Sequence, residues 1–458
     1  MKVIVCGAGQ VGYSIAAYLA EENNNVTIVD QDVELIARVN DELDVSGIVG
    51  HASNPDTLNE ANASEADLLI AVTRSDEVNM MACQIGHSLF GIPKKIARIR
   101  HKSYLKPEWS NLFSRTHMPI DVIISPENII AEDIYSRLSV PGTTYATTLA
   151  QGAVHVLGVV CNADCPLINT PIEQIKTLFP DLNFNVVSVL RRGEPLTAEK
   201  AYHIEEKDEV FIIVDSQHLK RTMQAFGFAS QEARRIVIAG GGNVGTELTK
   251  LLEKRGRGEQ IKLIEGCASR SQYLSETVKN AVILHGSALE RDLLEQASIS
   301  RVDTFIATTN HDETNILSSL LAKQYGAKRA ITLVSNPAYS PLVGPLGVDS
   351  MISPRALLVA SVMRHIRRGR IQHIHNLRHG FAEVIEAEVS ESASIANTAI
   401  GDLDLPDSVV VAAIYRDNEV ILPDDEEVVR VHDLVVILAP QVHAHIIEKL
   451  FSIHVDIF

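Results

Sequence analysis

The chain has no segment typical of a membrane-spanning helix. Its longest stretch without an acidic or basic charge, residues 138–163, is interrupted by Pro141, four threonines, Gln151 and His155. These residues are costly in hydrocarbon, so the stretch is better interpreted as a linker that enters a strand. The chain begins directly with a predicted strand, which leaves no room for a signal peptide. The composition therefore predicts a soluble, cytosolic protein that reaches a membrane only through a partner.

Cysteine and positive charge are also scarce. The 458 residues include five cysteines, and 58 Asp and Glu against 41 Lys and Arg give a formal net charge of −17. This charge disfavours nucleic acid and anionic lipid as general ligands, since both bind basic residues. The odd, scattered cysteines indicate a reducing compartment. Cys6 and Cys83 are predicted to be core residues, and Cys161 with Cys165 lacks a second ligand pair at zinc-like spacing, so no metal site is expected.

What the chain does contain is a glycine motif that occurs twice. The first copy is Gly7, Ala8, Gly9, Gln10, Val11 and Gly12. The second copy is Gly240, Gly241, Gly242, Asn243, Val244 and Gly245. Each follows a short apolar run typical of a parallel strand buried on both faces, and each precedes a helix-like stretch. A single G-x-G-x-x-G is a weak signal, but two copies in the same context favour a nucleotide-binding turn.

The spacing within and after the motif predicts which ligand it binds. The first glycine permits the tight turn, the second lets the backbone approach a pyrophosphate, and the third lets helix and strand pack closely. The phosphates then lie on the positive end of the helix. The second strand of each copy ends in an acid, Asp30 or Glu265, placed to bind an adenosine ribose. Such an acid repels a 2′-phosphate, which favours NAD(H), ATP or ADP over NADP.

The repeat continues beyond the glycines. Residues 66–79 align with residues 302–315, and both patterns predict a fourth strand that leads into a helix. Thr73 and Thr309 end these strands at the carboxyl edge of the sheet, where open α/β folds bind ligands. Thr73 and Arg74 are therefore candidate ligand-binding residues.

Asp76 and Asp312 follow these strands and precede the next helices. Their position favours helix capping over ligand binding.

A smaller module follows each glycine-motif domain. Alternating and β-branched residues at 152–160 and 381–389 predict strands in both modules. The predicted fold class is α/β, with two Rossmann-like doubly wound parallel-sheet domains, each followed by a small α+β domain. The predicted domains are residues 1–137, 138–226, 232–365 and 366–458.

Several motifs together resemble one family. They are the first glycine motif, the Gly-His-Ala-Ser sequence at 50–53, and residues 71–80, 96–100 and 125–127. Over essentially the whole chain, this pattern resembles the TrkA family, the cytosolic nucleotide-binding regulatory subunits of bacterial Trk potassium-uptake systems with tandem RCK-N and RCK-C domains. The resemblance implies a homotetramer without catalytic activity. It would lie beneath a separate membrane channel, on the cytoplasmic face of the inner membrane, and gate that channel according to bound nucleotide.

The resemblance also implies which residues bind NAD(H), ATP or ADP. In the first copy, the nucleotide lies on Gly7, Ala8, Gly9, Gln10 and Val11, with Asp30 on the ribose, Thr73 and Arg74 at the strand edge, and Arg98 on the phosphates. In the second copy, the corresponding residues are Gly240, Gly241, Gly242, Asn243, Val244 and Glu265.

The two copies differ after the fourth strand. Aligning residues 94–100 with residues 328–334 places Thr332 and Val334 where the first copy has Arg98 and Arg100. Because an arginine forms charge-assisted bonds to phosphate, this difference predicts tighter nucleotide binding in the first copy.

Some alternatives stay open on sequence alone. Residues 364–379 combine five arginines and four histidines and fit either a docking surface or the solvated end of a helix. An NAD-dependent dehydrogenase shares the same fingerprint, although no convergent acid-base residues are recognisable. A nucleotide sensor of a potassium efflux system is a further alternative.

Overall fold

The computed structural model describes most of the chain, and the residues it describes form four β-sheets. The described residues are 1–140, 142–228, 233–256, 258–366, 371–377 and 382–451. They form two compact units, one of Met1–Ile129 with Pro354–Ile366 and one of Ile130–Ser353 with Arg367–Phe458. Much of the Arg/His-rich segment lies outside the described residues, so its predicted roles stay open.

The first unit is built on a parallel sheet. Its elements are β1 (Lys2–Cys6), α1 (Gln10–Glu21), β2 (Asn25–Asp30), α2 (Val33–Glu42), β3 (Ser46–Val49), α3 (Pro55–Glu60), β4 (Leu68–Ala71), α4 (Asp76–Ser88), β5 (Lys94–Arg98) and β6 (Val122–Ile124). The helix that follows, α5 (Pro126–Ser139), belongs to the second unit from Ile130 onward. All six strands run parallel in the order β3-β2-β1-β4-β5-β6. Val3 and Val5 pack into the core on one face, and Ile4 and Cys6 into the core on the other, which explains the continuous apolar run.

An antiparallel sheet follows in the second unit. Its elements are β7 (Thr143–Leu149), β8 (Val154–Val160), α6 (Ile172–Leu178), β9 (Phe184–Arg191), β10 (Glu194–Thr197), α7 (Ala198–Ala201), β11 (Glu209–Asp215) and α8 (Leu219–Ala225). The strand order is β10-β9-β11-β8-β7. One face of the sheet packs against the short helices, and this gives a small α+β domain.

The same two folds are then repeated. The second parallel sheet and its helices are β12 (Arg235–Ala239), α9 (Asn243–Arg255), β13 (Gln260–Glu265), α10 (Ala268–Thr277), β14 (Val282–His285), α11 (Arg291–Gln296), β15 (Thr304–Ala307), α12 (Asp312–Gln324), β16 (Arg329–Leu333), α13 (Ser340–Val343), β17 (Ser350–Ile352) and α14 (Pro354–Ile366). The strand order, β14-β13-β12-β15-β16-β17, is that of the first sheet.

A second antiparallel sheet ends the described chain. Its elements are β18 (Ile371–Asn376), β19 (Glu383–Glu388), β20 (Val410–Arg416), β21 (Glu419–Ile421), β22 (Leu434–Ala439) and α15 (Ala444–Phe451). The strand order is β18-β19-β22-β20-β21. These four sheets confirm the predicted α/β class with two Rossmann-like domains, each followed by a small domain. Within the second unit, the two antiparallel sheets share an apolar core, and the amide of Ala150 donates to the Glu386 carboxylate at 2.8 Å.

Each long helix after a parallel sheet packs with the opposite half of the sequence. In the first unit, Leu358, Val362 and Met363 of α14 join the core beside α1. In the second unit, Arg137 near the end of α5 donates to Ser350 and to the carbonyl of Met351, both at 2.9 Å. The repeat in the sequence and the packing of the chain therefore divide the molecule differently. The domain boundaries at residues 137 and 365 stay a prediction.

Two basic residues hold these helix ends in equivalent ways. Lys94 at the start of β5 donates to the carbonyl of His365 in α14. Arg329 at the start of β16 donates to the carbonyl of Arg137 in α5 at 2.9 Å. Cations at helix C-termini satisfy terminal carbonyls and complement the helix dipole.

Within the described residues, no helix is both long enough and apolar enough to cross a bilayer. Cys6 and Cys83 are completely buried, which confirms the prediction that they are core residues.

Candidate functional site

The first glycine motif forms a tight turn between β1 and α1. Gly7 has φ of +110°, a conformation that favours glycine. A Cβ atom on Gly12 would lie 1.7 Å from the carbonyl oxygen of Gly7, whereas one on Gly9 would meet no atom within 4 Å. No described side chain caps the N-terminus of α1, and its first turn holds no acidic residue. The turn therefore leaves open backbone amides that suit a phosphate.

The second motif repeats this geometry between β12 and α9. Gly240 has φ of +103°. A Cβ atom on Gly245 would lie 2.0 Å from the carbonyl oxygen of Gly240, and one on Gly242 would again meet no atom within 4 Å. The N-terminus of α9, which starts at Asn243 and Val244, also lacks a side-chain cap among the described residues.

The acids at the ends of the second strands lie against these turns. The Asp30 carboxylate accepts hydrogen bonds from the backbone amides of Ala8 at 2.6 Å and of Asp32 at 3.0 Å. The Glu265 carboxylate accepts hydrogen bonds from the backbone amides of Gly241 and Cys267, both at 2.8 Å. Each carboxylate oxygen retains lone-pair capacity for a ribose hydroxyl. The acids thus also brace the glycine turns, a role that the sequence analysis did not identify.

A buried asparagine anchors the edge formed by the fourth and fifth strands. Asn79 is completely buried and accepts from the amide and the hydroxyl of Thr73 at 2.9 and 2.7 Å. Its amide group donates to the carbonyl of Arg98 at 2.9 Å. Asn315 makes the matching bonds to Thr309 and Leu333. The sequence analysis missed this residue, although both copies carry the Asp-Glu-x-Asn pattern.

The prediction that Asp76 and Asp312 cap helices is wrong. Ser75 and His311 occupy the N-cap positions of α4 and α12. The Asp76 carboxylate instead accepts the amides of Arg100 at 2.9 Å and His101 at 2.7 Å. Asp312 accepts the amides of residues 335 and 336 in the same way. The carboxylates therefore fix the chain after the fifth strand, because the side chains turn towards the neighbouring strand end.

Arg98 is an incompletely paired cation at the end of β5. Its Nε atom is buried and has no hydrogen-bond partner among the described residues, and neither does Oε2 of the buried Glu127. Burial, with Arg100 nearby, lowers the pKa of Arg98, while Glu127 and Asp76 oppose this shift. Arg74 is exposed, and its carbonyl accepts a bond from Arg100 at 2.8 Å. An arginine in this state suits an anionic ligand.

The register of the fifth strands corrects the predicted alignment by one residue. Ala71 of β4 pairs with Ala97, and the equivalent Ala307 of β15 pairs with Thr332. Leu333 and Ser335, not Thr332 and Val334, therefore occupy the places of Arg98 and Arg100. The bonds from the two asparagines confirm this, since they end on the carbonyls of Arg98 and Leu333. The conclusion that the second copy lacks both arginines holds.

The second copy has a different arginine beside its glycine turn. Arg270 of α10 donates to the carbonyl of Gly241 at 2.8 Å and to the hydroxyl of Thr246 at 3.1 Å. The corresponding residue of the first copy, counted from the strand-end acid, is Leu35. Sequence analysis had no signal for this contact, because it depends on how α10 packs.

In the described part of the chain, no group of three or more His, Cys, Asp and Glu side chains is arranged to hold a metal ion. Cys161 and Cys165 are buried free cysteines in the core of the first small domain.

Comparison with known proteins agrees with this arrangement. A family model described as the TrkA-N domain matches residues 3–126 and 236–354, and one described as the TrkA-C domain matches residues 384–452. The Trk system potassium uptake protein TrkA of Azorhizobium caulinodans is 43% identical over 458 residues, which is 100% of both chains. The protein of the same description from Halomonas elongata is 38% identical over 462 residues, again 100% of both chains.

A solved structure described as the GsuK channel bound to NAD has the same fold. It superimposes with a TM-score of 0.60 at 16% identity and covers 98% of this chain and 78% of its own. The curated relatives are potassium uptake proteins and not enzymes, which confirms the prediction of no catalytic activity over the dehydrogenase alternative. With TrkA-N matches in both halves and full-length relatives, the chain belongs to the TrkA family of Trk system potassium uptake proteins.

Proposed function

We propose that this chain is a regulatory subunit that binds an adenine nucleotide and gates a membrane potassium channel of the Trk type. The proposal is supported above all by the arrangement of residues in the first parallel-sheet domain. There, an uncapped glycine turn, the acid Asp30 and the incompletely paired Arg98 belong to one sheet edge. The relatives named as Trk potassium uptake proteins supply the biological context.

NAD, NADH, ATP and ADP are the proposed ligands. All share the ADP portion that a glycine turn with a strand-end acid binds. In the first copy, Gly7, Gly9 and Gln10 would provide the phosphate turn, Asp30 the ribose contact and Arg98 the charge-assisted phosphate contact. The NAD-bound state of the GsuK channel, which has the same fold, supports a dinucleotide as one candidate.

The second copy is proposed to bind nucleotide more weakly. It keeps the turn and Glu265, but Leu333 and Ser335 replace the two arginines. Loss of a bond to a charged group costs about 1.5 to 3 kcal/mol, which is roughly a tenfold to hundredfold change in affinity.

In this proposal, gating follows from the thermodynamic linkage between nucleotide binding and protein conformation. A nucleotide shifts the channel only by the difference in its affinity for two protein conformations, typically about 1 to 3 kcal/mol. We propose that four chains form a homotetramer on the cytoplasmic face of the inner membrane, beneath the membrane subunit. We propose that the domains are residues 1–137, 138–226, 232–365 and 366–458.

The test is potassium flux through the Trk membrane subunit in liposomes, with this protein added and ATP, ADP, NAD or NADH varied. The variant Asp30→Ala removes the ribose acceptor, and Glu265→Ala is its matched control in the second copy. Nucleotide-dependent flux that Asp30→Ala weakens more than Glu265→Ala supports the proposal. Flux that responds to no nucleotide, while calorimetry still detects binding, would separate nucleotide binding from gating and refute the regulatory role.

A further inference from the structure

The loop after the fifth strand differs sharply between the two copies. The basic loop (residues 99–120) is seven residues longer than the neutral loop (residues 334–348). The basic loop carries four Lys or Arg residues and one acid, Glu108, whereas the neutral loop carries no Asp, Glu, Lys or Arg. In a chain with a net charge of −17, this is a local concentration of positive charge.

The basic loop also exposes the only tryptophan of the chain. Trp109 is 55% exposed and lies in the short 3-10 helix Pro107–Phe113. Tyr104, Leu105 and Phe113 pack against the core of the first unit, so the loop is anchored while Trp109 stays in solvent. An exposed aromatic ring on an anchored loop suits a contact with another surface.

The cations of this loop surround the tryptophan in the sequence and are exposed. Lys102, Lys106 and Arg115 are all exposed, and the Arg115 side chain is 81% accessible. Arg115 approaches Asp121 only at 3.9 Å.

Two neighbouring acids are engaged inside the domain, whereas Glu108, next to Trp109 in the sequence, is exposed. Asp121 accepts the amide of Lys95 at 2.7 Å and pairs with the buried Lys95 side chain at 2.8 Å. Asp76 accepts two backbone amides at the start of the loop. The exposed side chains of Lys106 and Arg115 can therefore contact an external anion.

We infer that the basic loop contacts anionic phospholipid headgroups, with Lys106 and Arg115 near the phosphates and the Trp109 ring at the interface. This rests on the proposed function as a peripheral subunit of a membrane transporter. Tryptophan favours the membrane interface, because its ring is apolar and its N–H is polar. Each Lys or Arg close to an anionic surface contributes favourably within about one Debye length, roughly 8 Å at physiological salt.

The positive charge of the basic loop favours lipid headgroups, and not the cytoplasmic loops of a membrane transporter, as its partner. Those loops carry an excess of Lys and Arg, so they repel a basic loop, whereas lipid phosphates attract it. The net charge of −17 disfavours general adhesion to anionic lipid, and screening limits this repulsion to short range. The contact is therefore expected to depend on this loop and on ionic strength.

The test uses the full chain with vesicles and no transporter, so it is independent of potassium flux. Trp109 is the sole tryptophan, and its fluorescence reports the loop directly. With vesicles containing phosphatidylglycerol at low salt, we expect emission to shift to shorter wavelength. Vesicles of phosphatidylcholine alone are expected to give no shift. Added salt is expected to reverse the shift.

The variant Lys106→Glu/Arg115→Glu tests the charges. We expect its affinity for anionic vesicles to fall by about 30-fold or more, from roughly 1 kcal/mol per basic residue. The matched control, Lys254→Glu/Lys279→Glu, makes the same change in net charge at exposed positions of the second copy and should bind vesicles nearly as well as the parent. Trp109→Ala should weaken vesicle co-sedimentation without changing nucleotide affinity.

Four outcomes would overturn the inference. Absence of any shift with anionic vesicles at low salt would exclude the lipid contact. An equal loss in the control variant would mean that net charge matters and not the loop. An emission shift caused by nucleotide alone, with loss of vesicle binding, would assign the loop to the nucleotide site. A shift caused by an acidic polypeptide but not by vesicles would assign the loop to a protein partner.

Discussion

The two parallel-sheet domains share one backbone frame but differ in the charges placed on it. Gly7 and Gly240 adopt nearly the same left-handed conformation, with φ of +110° and +103°. Asn79 and Asn315 make the same set of bonds at the strand edge. Positions that the turn and the strand ends require are therefore kept in both copies.

Several charged positions differ between the two copies. Arg98 of the first copy corresponds to Leu333, and Leu35 corresponds to Arg270, so each copy carries an arginine at a position where the other carries leucine. The loops that follow are basic in one copy and uncharged in the other. The two copies thus share the scaffold but differ in where their charges lie.

The largest expected effect tests the shared turn. In Gly12→Ala or Gly245→Ala, a Cβ atom would overlap the first glycine carbonyl, at 1.7 or 2.0 Å. We expect loss of nucleotide binding at the altered site and a free energy of unfolding lower by about 3 kcal/mol or more. Calorimetry and thermal unfolding measure both. Gly9→Ala is the control, because its Cβ atom has space. It should fold normally yet bind nucleotide weakly, and an equally unstable Gly9→Ala would contradict this account.

A somewhat smaller effect tests the buried asparagines. Asn79→Ala and Asn315→Ala each leave backbone groups of the strand edge without partners, at a cost of about 2 to 3 kcal/mol. We expect the same loss in both copies, because both asparagines are fully buried. Hydrogen exchange at the amides of Thr73 and Thr309 measures it. A large difference between the losses measured at the two amides would show that the strand edges of the two copies are not equivalent.

The next prediction concerns Arg98 and its counterpart Leu333, which differ between the two copies. Arg98→Leu should weaken nucleotide binding in the first copy about tenfold to hundredfold, or roughly 1.5 to 3 kcal/mol. Leu333→Arg should strengthen binding in the second copy. Calorimetry on variants with the other site disabled by Gly12→Ala or Gly245→Ala separates the two affinities. Equal affinities in the parent protein would refute the proposed asymmetry.

The smallest effect concerns acid stability of the second copy. Burial raises the pKa of Asp303, but bonds from Arg235, Lys328 and backbone amides outweigh it and hold that pKa well below its usual range. The carboxylate therefore adds stability that is present above the pKa of the unfolded chain and is lost as pH falls through the lower folded value.

We expect Asp303→Asn to cost about 0.5 to 1 kcal/mol at neutral pH, because the ion pairs of Asp303 with Arg235 and Lys328 are partly exposed and solvent screens them. The deficit should shrink progressively below pH 4 or so, as the parent carboxylate becomes protonated. Thermal unfolding of both proteins across this range measures it. A deficit that is independent of pH would show that charge is not the cause.

Sequence reasoning succeeded where the chemistry is local. The glycine turns were predictable because glycine alone readily accepts the positive φ of the first motif position and the close carbonyl at the last. The buried strands were predictable from their apolar runs. The family resemblance was confirmed because it rested on motifs in both halves.

Sequence reasoning failed where one residue of register or a distant contact decides the outcome. The fifth strands were misaligned because the sequence pattern matched Lys94 with Lys328, whereas the strand pairing matches Lys94 with Arg329. Asp76 was mistaken for a cap because the backbone amides that donate to it lie in the chain after β5, more than 20 residues away.

The sequence by itself determined the duplicated α/β architecture, the two glycine turns and the acids that follow them, since each depends on short-range backbone geometry and hydrophobic periodicity. The tertiary structure alone decided that α14 packs beside α1 in the first unit and that α5 binds the second parallel sheet through Arg137. The physical reason is that a helix buries its apolar face against any complementary surface, and the choice among such surfaces depends on packing between residues that lie hundreds of positions apart.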